Sequence, residues 1–162
     1  MSEGLILYFA YGSNMCLPHL SEWAASHDLP APTIIEAKSA TLPGFRLAWN
    51  YRSRRRSGAA NVIRDAGQVV HGVLLTTDVT GLMTIDRKEG TPIYYGRTLE
   101  RIELVGSAFD AWVYQVDQKW IEETPIWPDR QYLNLLLAGA RAHDLPLEYV
   151  SALASLPVVE AA

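Results

Sequence analysis

Leu5-Ile6-Leu7-Tyr8-Phe9-Ala10-Tyr11-Gly12-Ser13-Asn14-Met15 is an apolar run that enters a Gly-Ser-Asn turn, and Pro18 then opens a helical pattern through Leu20, Trp23 and Ala24. The apolar run is too short for a useful helix and ends at a glycine, which predicts a buried strand. Proline suits the first helical turn, where its missing N–H would have no partner anyway. In the loop between them, Gly12 is expected to take a positive φ, and Asn14 tolerates the same region. The helix behind adds a partial positive charge at its N-terminus. Gly12, Ser13 and Asn14 therefore read as a cradle of backbone N–H groups for a carboxylate, or for a carbonyl oxygen becoming an oxyanion. Neither a dinucleotide fingerprint nor a Walker loop can be written onto these residues.

Outward from this unit the chain is rich in strands. Ile34 to Leu42, Phe45 to Asn50, Ala60 to Ile63 and Val70 to Thr77 carry β-branched or alternating patterns. They are expected to be separated by Pro43-Gly44, the arginine run after Asn50 and Asp65-Ala66-Gly67. Asp78 predicts the N-cap of a short helix carrying Leu82 and Ile85 and ending near Gly90, which places Glu89 at a helix-to-strand junction. Arg97 to Leu104 and Ala108 to Val116 read as two more strands. After Pro125 and Pro128, the spacing of Tyr132, Leu133, Leu136, Leu137 and Ala140 predicts a helix that covers the sheet. Leu145-Pro146 then starts a short helix with Tyr149, Val150 and Leu153. A β-rich middle bracketed by helices is an α+β arrangement, and no linker divides residues 1–162, so a single domain is expected.

Composition narrows the function classes. The 49% hydrophobic content and a mean hydropathy of zero are those of a globular chain in water, with no apolar run of membrane-span length. The net charge of −4 argues against general nucleic-acid affinity. A single cysteine, Cys16, allows no internal disulfide and points to a cytoplasmic location. The four histidines, His19, His27, His71 and His143, show no ligand spacing, so neither a metal site nor another cofactor is expected. Ser13 invites a hydrolase reading, but Met15 stands where a nucleophile elbow needs glycine. Arg52, Arg54, Arg55 and Arg56 read as a solvated loop joining two strands, with a rim that recruits an anionic substrate as the minor alternative. Assembly has no legible signal. A homodimer is compatible with the chain by base rate alone.

A second motif, Leu82-Met83-Thr84-Ile85-Asp86-Arg87-Lys88-Glu89-Gly90, is followed by Tyr94-Tyr95 and Arg97. A third comprises Pro128-Asp129-Arg130-Gln131-Tyr132, Gly139-Ala140 and Leu145-Pro146-Leu147-Glu148-Tyr149. With the Tyr11-Gly12-Ser13-Asn14 loop, these resemble the γ-glutamylcyclotransferase family in its AIG2-like branch. That family carries a YGSN loop, an LDxxEG segment and a late PSxxY, GA and LPxxY pattern. Ile85 and Asp129 depart from it, and so does Thr91-Pro92, which is expected to reshape one wall of the pocket. The resemblance implies a small mixed β-barrel flanked by helices, and an enzyme that converts a γ-glutamyl amino acid or amine into 5-oxoproline and the free amine. Glu89 would be the catalytic acid/base. Tyr11, Gly12, Ser13, Asn14, Tyr95 and Tyr132 would bind the small γ-glutamyl substrate, with the three tyrosines bounding the pocket. Taken alone, a Glu among Asp86, Arg87 and Lys88 is usually a solvated charge. Two other classes stay open: a non-catalytic barrel binding a small carboxylated metabolite, and a different acyl transfer on γ-glutamyl substrates.

Overall fold

The computed structural model describes residues 4–160. Five strands, β1 (Leu5–Ala10), β2 (Glu36–Ala48), β3 (Asn61–Asp78), β4 (Tyr95–Leu104) and β5 (Ser107–Val116), close into a barrel in the order β1-β3-β2-β4-β5. The pairings are antiparallel except for the closing one, where β1 meets β5 in parallel with Tyr8 opposite Trp112. Four helices surround it: α1 (Leu17–Ser26), α2 (Val79–Glu89), α3 (Arg130–Ala142) and α4 (Leu147–Ala154). This is the α+β barrel that the sequence implied. None of the described helices is long and apolar enough to cross a membrane.

The barrel interior is filled rather than hollow at its centre. Phe9, Leu42, Val70, Ile102 and Val113 are fully enclosed, and each such side chain contributes roughly 1.5–3 kcal/mol by leaving water. Leu133, Leu136 and Ala140 of α3 extend the same core on the outside of the barrel, as their helical spacing required.

Two expected strand breaks are not breaks. Pro43-Gly44 lies inside β2 and Asp65-Ala66-Gly67 inside β3, so four expected strands are two long ones. Pro43 pairs with Val69 and Phe45 with Arg64, leaving a bulge where the two irregular stretches face each other. Gly44 at φ +79° and Gly67 at φ +84° take up the distortion, which glycine does without a Cβ penalty. Turn residues in both strands at the same level bend the ribbon instead of ending it.

Helices α2 and α3 begin and end where the site needs them. Asp78 caps α2 by accepting the Gly81 N–H at 2.8 Å. Gly90 ends it in the left-handed conformation, φ +72°, with its N–H returned to the last-turn carbonyls. A Cβ at Gly90 would also stand 2.6 Å from the Tyr94 ring. Glu89 is thus the last residue of α2, held at a sharp turn. Asp129 caps α3 by accepting the Tyr132 N–H at 2.7 Å, which fixes Tyr132 in the first helical turn.

Candidate active site

The strand-loop-helix unit at the N-terminus, the end of α2 and the start of α3 converge on a cavity of about 670 Å³. Ser13–Met15 forms a single 3-10 turn, closed by the Met15 and Cys16 N–H groups bonding the Gly12 and Ser13 carbonyls. All seven sequence-predicted site residues line the cavity: Tyr11, Gly12, Ser13, Asn14, Glu89, Tyr95 and Tyr132.

Glu89 and Asn14 are directly bonded. The Asn14 Nδ2 donates to Glu89 Oε1 at 2.7 Å and to the Tyr8 hydroxyl at 2.8 Å. The Asn14 Oδ1 is buried with no protein partner. An orphaned buried acceptor costs free energy unless a ligand or water supplies a donor, and this one lies beside the carboxylate. Burial pushes the Glu89 carboxyl above its usual range. Lys88 and the Asn14 hydrogen bond pull it back without cancelling the effect, and Asp86 adds a further push upward. The result is a carboxylate whose proton affinity is raised above that of an ordinary glutamate.

Lys88, absent from the expected site, donates its Nζ to Ser13 Oγ at 3.0 Å. Burial lowers its ammonium pKa, while the adjacent Glu89 opposes that shift. Asp86, one turn earlier, accepts the Tyr114 hydroxyl at 2.6 Å and the Arg97 guanidinium at 2.9 Å, tying α2 to strands β4 and β5. Tyr8 and Tyr114 also meet edge to face, 5.4 Å apart. Tyr8, Tyr51 and Tyr114 were missed as lining residues. The signal for Tyr8 and Tyr114 was strand parity relative to Glu89, which the sequence does not register across β1 and β5.

Two expectations change in detail. Gly12 sits at φ −117°, not in the positive region. Glycine is needed there for close approach: a Cβ would stand 3.2 Å from Tyr132 Oη and 3.7 Å from Ala60 Cβ. The tyrosines bound the pocket, yet two have already spent their protons. The Tyr11 hydroxyl donates to the Tyr114 carbonyl, and Tyr95 donates to the Ala60 carbonyl at 2.8 Å. Tyr132 Oη accepts the Ala60 N–H at 3.0 Å and Tyr8 Oη accepts from Asn14, so these two phenols keep a proton to donate. Pro92, expected to reshape a pocket wall, does not line the cavity; Gly90, Tyr94 and Tyr95 do.

The arginine run is not merely a solvated link. Arg55 grips both oxygens of Asp129, at 2.7 and 2.8 Å, and Ser57 donates to the same carboxylate. Arg54 lies over the Tyr94 ring at 4.9 Å. Both line the cavity, while Arg52 turns away to Glu122.

Residues 8–134 match the family described as Gamma-glutamyl cyclotransferase, AIG2-like. A bovine protein named Gamma-glutamylcyclotransferase is 27% identical over 157 residues, covering 93% of this chain and 78% of that protein. The human protein of the same name is 27% identical over 154 residues, covering 91% and 76%. Among solved structures, one titled Gamma-glutamyl cyclotransferase superposes with a TM-score of 0.78 at 24% identity, over 96% of this chain and 89% of that one. An uncharacterized human protein gives 0.80 at 25% identity, over 99% and 92%. With a match over most of its length and relatives that share its fold, the chain belongs to the AIG2-like gamma-glutamyl cyclotransferase family.

Proposed function

We propose that this protein cyclises γ-glutamyl compounds, releasing 5-oxoproline and the free amine, with Glu89 as the general acid/base. The observation that carries this reading is the Glu89 carboxylate facing the cavity, bonded to Asn14 and raised in pKa by burial. The reaction is intramolecular. Glu89 takes a proton from the substrate's α-ammonium, and the freed amine attacks its own γ-carbonyl to form the five-membered ring. The attack leaves one surplus proton on the ring nitrogen; the C–N bond to the leaving group breaks as Glu89 returns its proton to the departing nitrogen, and the surplus proton passes to the freed amine, which leaves as an ammonium. No water is consumed. A carboxyl whose proton affinity is raised by burial suits both transfers.

The rest of the site orients and stabilises. The unpartnered Asn14 Oδ1 is placed to accept from the substrate's ammonium beside Glu89. The Gly12 and Asn14 amides, which the 3-10 turn does not use, serve the oxyanion or the substrate's carboxylate. Lys88, fixed on Ser13, adds positive charge at the same place. Folding the substrate so that amine and carbonyl meet is the largest task, and the tyrosine walls do it.

Incubating the pure protein with γ-glutamyl amino acids and γ-glutamyl amines and measuring 5-oxoproline tests the proposal. Binding without product would favour a non-catalytic carrier of small carboxylates.

The pH profile is a sharper check. Glu89 must be ionised to accept the proton, so kcat/KM rises with pH along an acid limb lying above the usual glutamate range. Asn14→Leu removes a hydrogen bond that lowers the Glu89 pKa, so its limb moves to still higher pH. An acid limb at the ordinary glutamate position would contradict the role given to burial.

The loop is tested by a pair of variants. Gly12→Val pushes carbons against a Tyr132 hydroxyl that Ala60 already holds, and loses roughly tenfold or more in kcat/KM. Ser13→Ala removes only the Lys88 anchor and stays within about fivefold, the worth of one hydrogen bond. An inactive Ser13→Ala beside an active Gly12→Val would make the serine a nucleophile.

A further inference from the structure

The charged lining of the cavity is unbalanced. Four cations, Arg54, Arg55, Arg87 and Lys88, share it with one carboxylate, Glu89. Arg55 is neutralised by Asp129 behind the wall. Among the described residues, Arg54, Arg87 and Lys88 have no carboxylate within ion-pair distance. Nor are they gathered at one point. Lys88 is fastened to Ser13 in the 3-10 turn, whereas Arg54 is stacked on Tyr94, on the wall that follows Gly90.

A γ-glutamyl compound brings one carboxylate of its own, on the carbon that bears the reacting amine. The cradle and Lys88 account for it. Arg54 and Arg87 are then the lining cations left without a partner, and the glutamyl portion offers no second carboxylate to pair with them. With Glu89 ionised, the uncommitted lining carries two net positive charges. A γ-glutamyl dicarboxylic amino acid carries a net charge equal and opposite to it, a γ-glutamyl monocarboxylic amino acid half of it, and a γ-glutamyl alkylamine none.

We propose that Arg54 and Arg87 select the leaving group by its carboxylates, so that γ-glutamyl compounds releasing an acidic amino acid are preferred over those releasing a neutral one, and amines come last. The inference deepens the cyclotransferase reading and rests on it. Arg54 and Arg87 are exposed, so each added carboxylate is worth only about threefold, and the preference shrinks with salt. A cationic leaving amine is repelled by the same groups.

The test measures affinity and turnover separately. Calorimetric Kd values for γ-glutamyl-glutamate, γ-glutamyl-alanine, γ-glutamyl-methylamine and a γ-glutamyl diamine are taken with Glu89→Gln protein, and kcat/KM with the unsubstituted protein, at low and high salt. Both series are expected to follow carboxylate count at low salt and to flatten at high salt, with Arg54→Gln and Arg87→Gln each narrowing the spread. A flat series, a diamine bound as tightly as the dicarboxylate, or a spread untouched in the double variant would overturn the inference. Ordered affinities without any 5-oxoproline would uphold it and defeat the catalytic reading. Turnover with equal affinities and equal kcat/KM would do the reverse.

Discussion

Glu89→Gln lowers kcat by at least about 10²-fold while leaving the fold and ligand affinity in place, because it removes the proton acceptor without changing side-chain volume. The amide keeps an oxygen for the Asn14 Nδ2, so the local hydrogen bond survives. Measured on 5-oxoproline release, near-normal turnover would end the assignment of Glu89. The same variant has a stability signature. Burial raises the Glu89 pKa in the folded state, so over the window between its unfolded and folded values the folded protein holds a proton that the unfolded chain has released. Stability contributed by that proton is present below the unfolded pKa and lost as pH rises through the folded one. Glutamine has no such dependence. The Tm of Glu89→Gln relative to the parent therefore climbs with pH across this window, and a difference independent of pH would mean that the carboxylate is not perturbed.

Much of the barrel was legible because its signals are local. Asp78 before an apolar-periodic segment and Gly90 after it bound α2 as their chemistry requires. The β2–β3 ribbon was misdivided for a physical reason: Pro43-Gly44 and Asp65-Ala66-Gly67 are ordinary turn signals singly, and only their apposition across two paired strands makes them a bulge. The site divides the same way. Glu89, Asn14, Tyr11, Tyr95 and Tyr132 stood out through motifs, whereas Lys88 on Ser13, Asp86 beneath Tyr114, and Arg55 on Asp129 are contacts across 75, 28 and 74 residues of chain. Residue type alone gives no reason to prefer Lys88 to Arg87 as the buried cation of that helix end. The side of α2 that faces the 3-10 turn decides it.

Gly139 is where the fold and the site depend on the same missing atom. It lies on α3, and a Cβ there would stand 2.5 Å from Met15 Cβ, 2.6 Å from Met15 C and 2.9 Å from Cys16 N. Two of those three atoms are backbone of the turn that carries Asn14, so neither can swing aside as a side-chain tip would. The contact is reinforced by His143, at the end of α3, whose Nε2 lies 3.2 Å from the Met15 carbonyl. Gly139→Val must drive α3 off the turn. The expected cost is about 3 kcal/mol or more, which corresponds to a Tm lower by roughly 6–12 °C for a chain of this size. Removing a helical glycine recovers less than about 1 kcal/mol of propensity and does not offset it. Turnover falls as well, measured below the transition, because Tyr132 rides on α3 and Asn14 on the turn, and both line the same cavity. Gly96→Ala is the control: a Cβ there meets nothing within 4 Å, so its Tm and kcat/KM stay near the parent's. If Gly139→Val melted and turned over like Gly96→Ala, the packing of α3 on the 3-10 turn would not be what holds the cavity together.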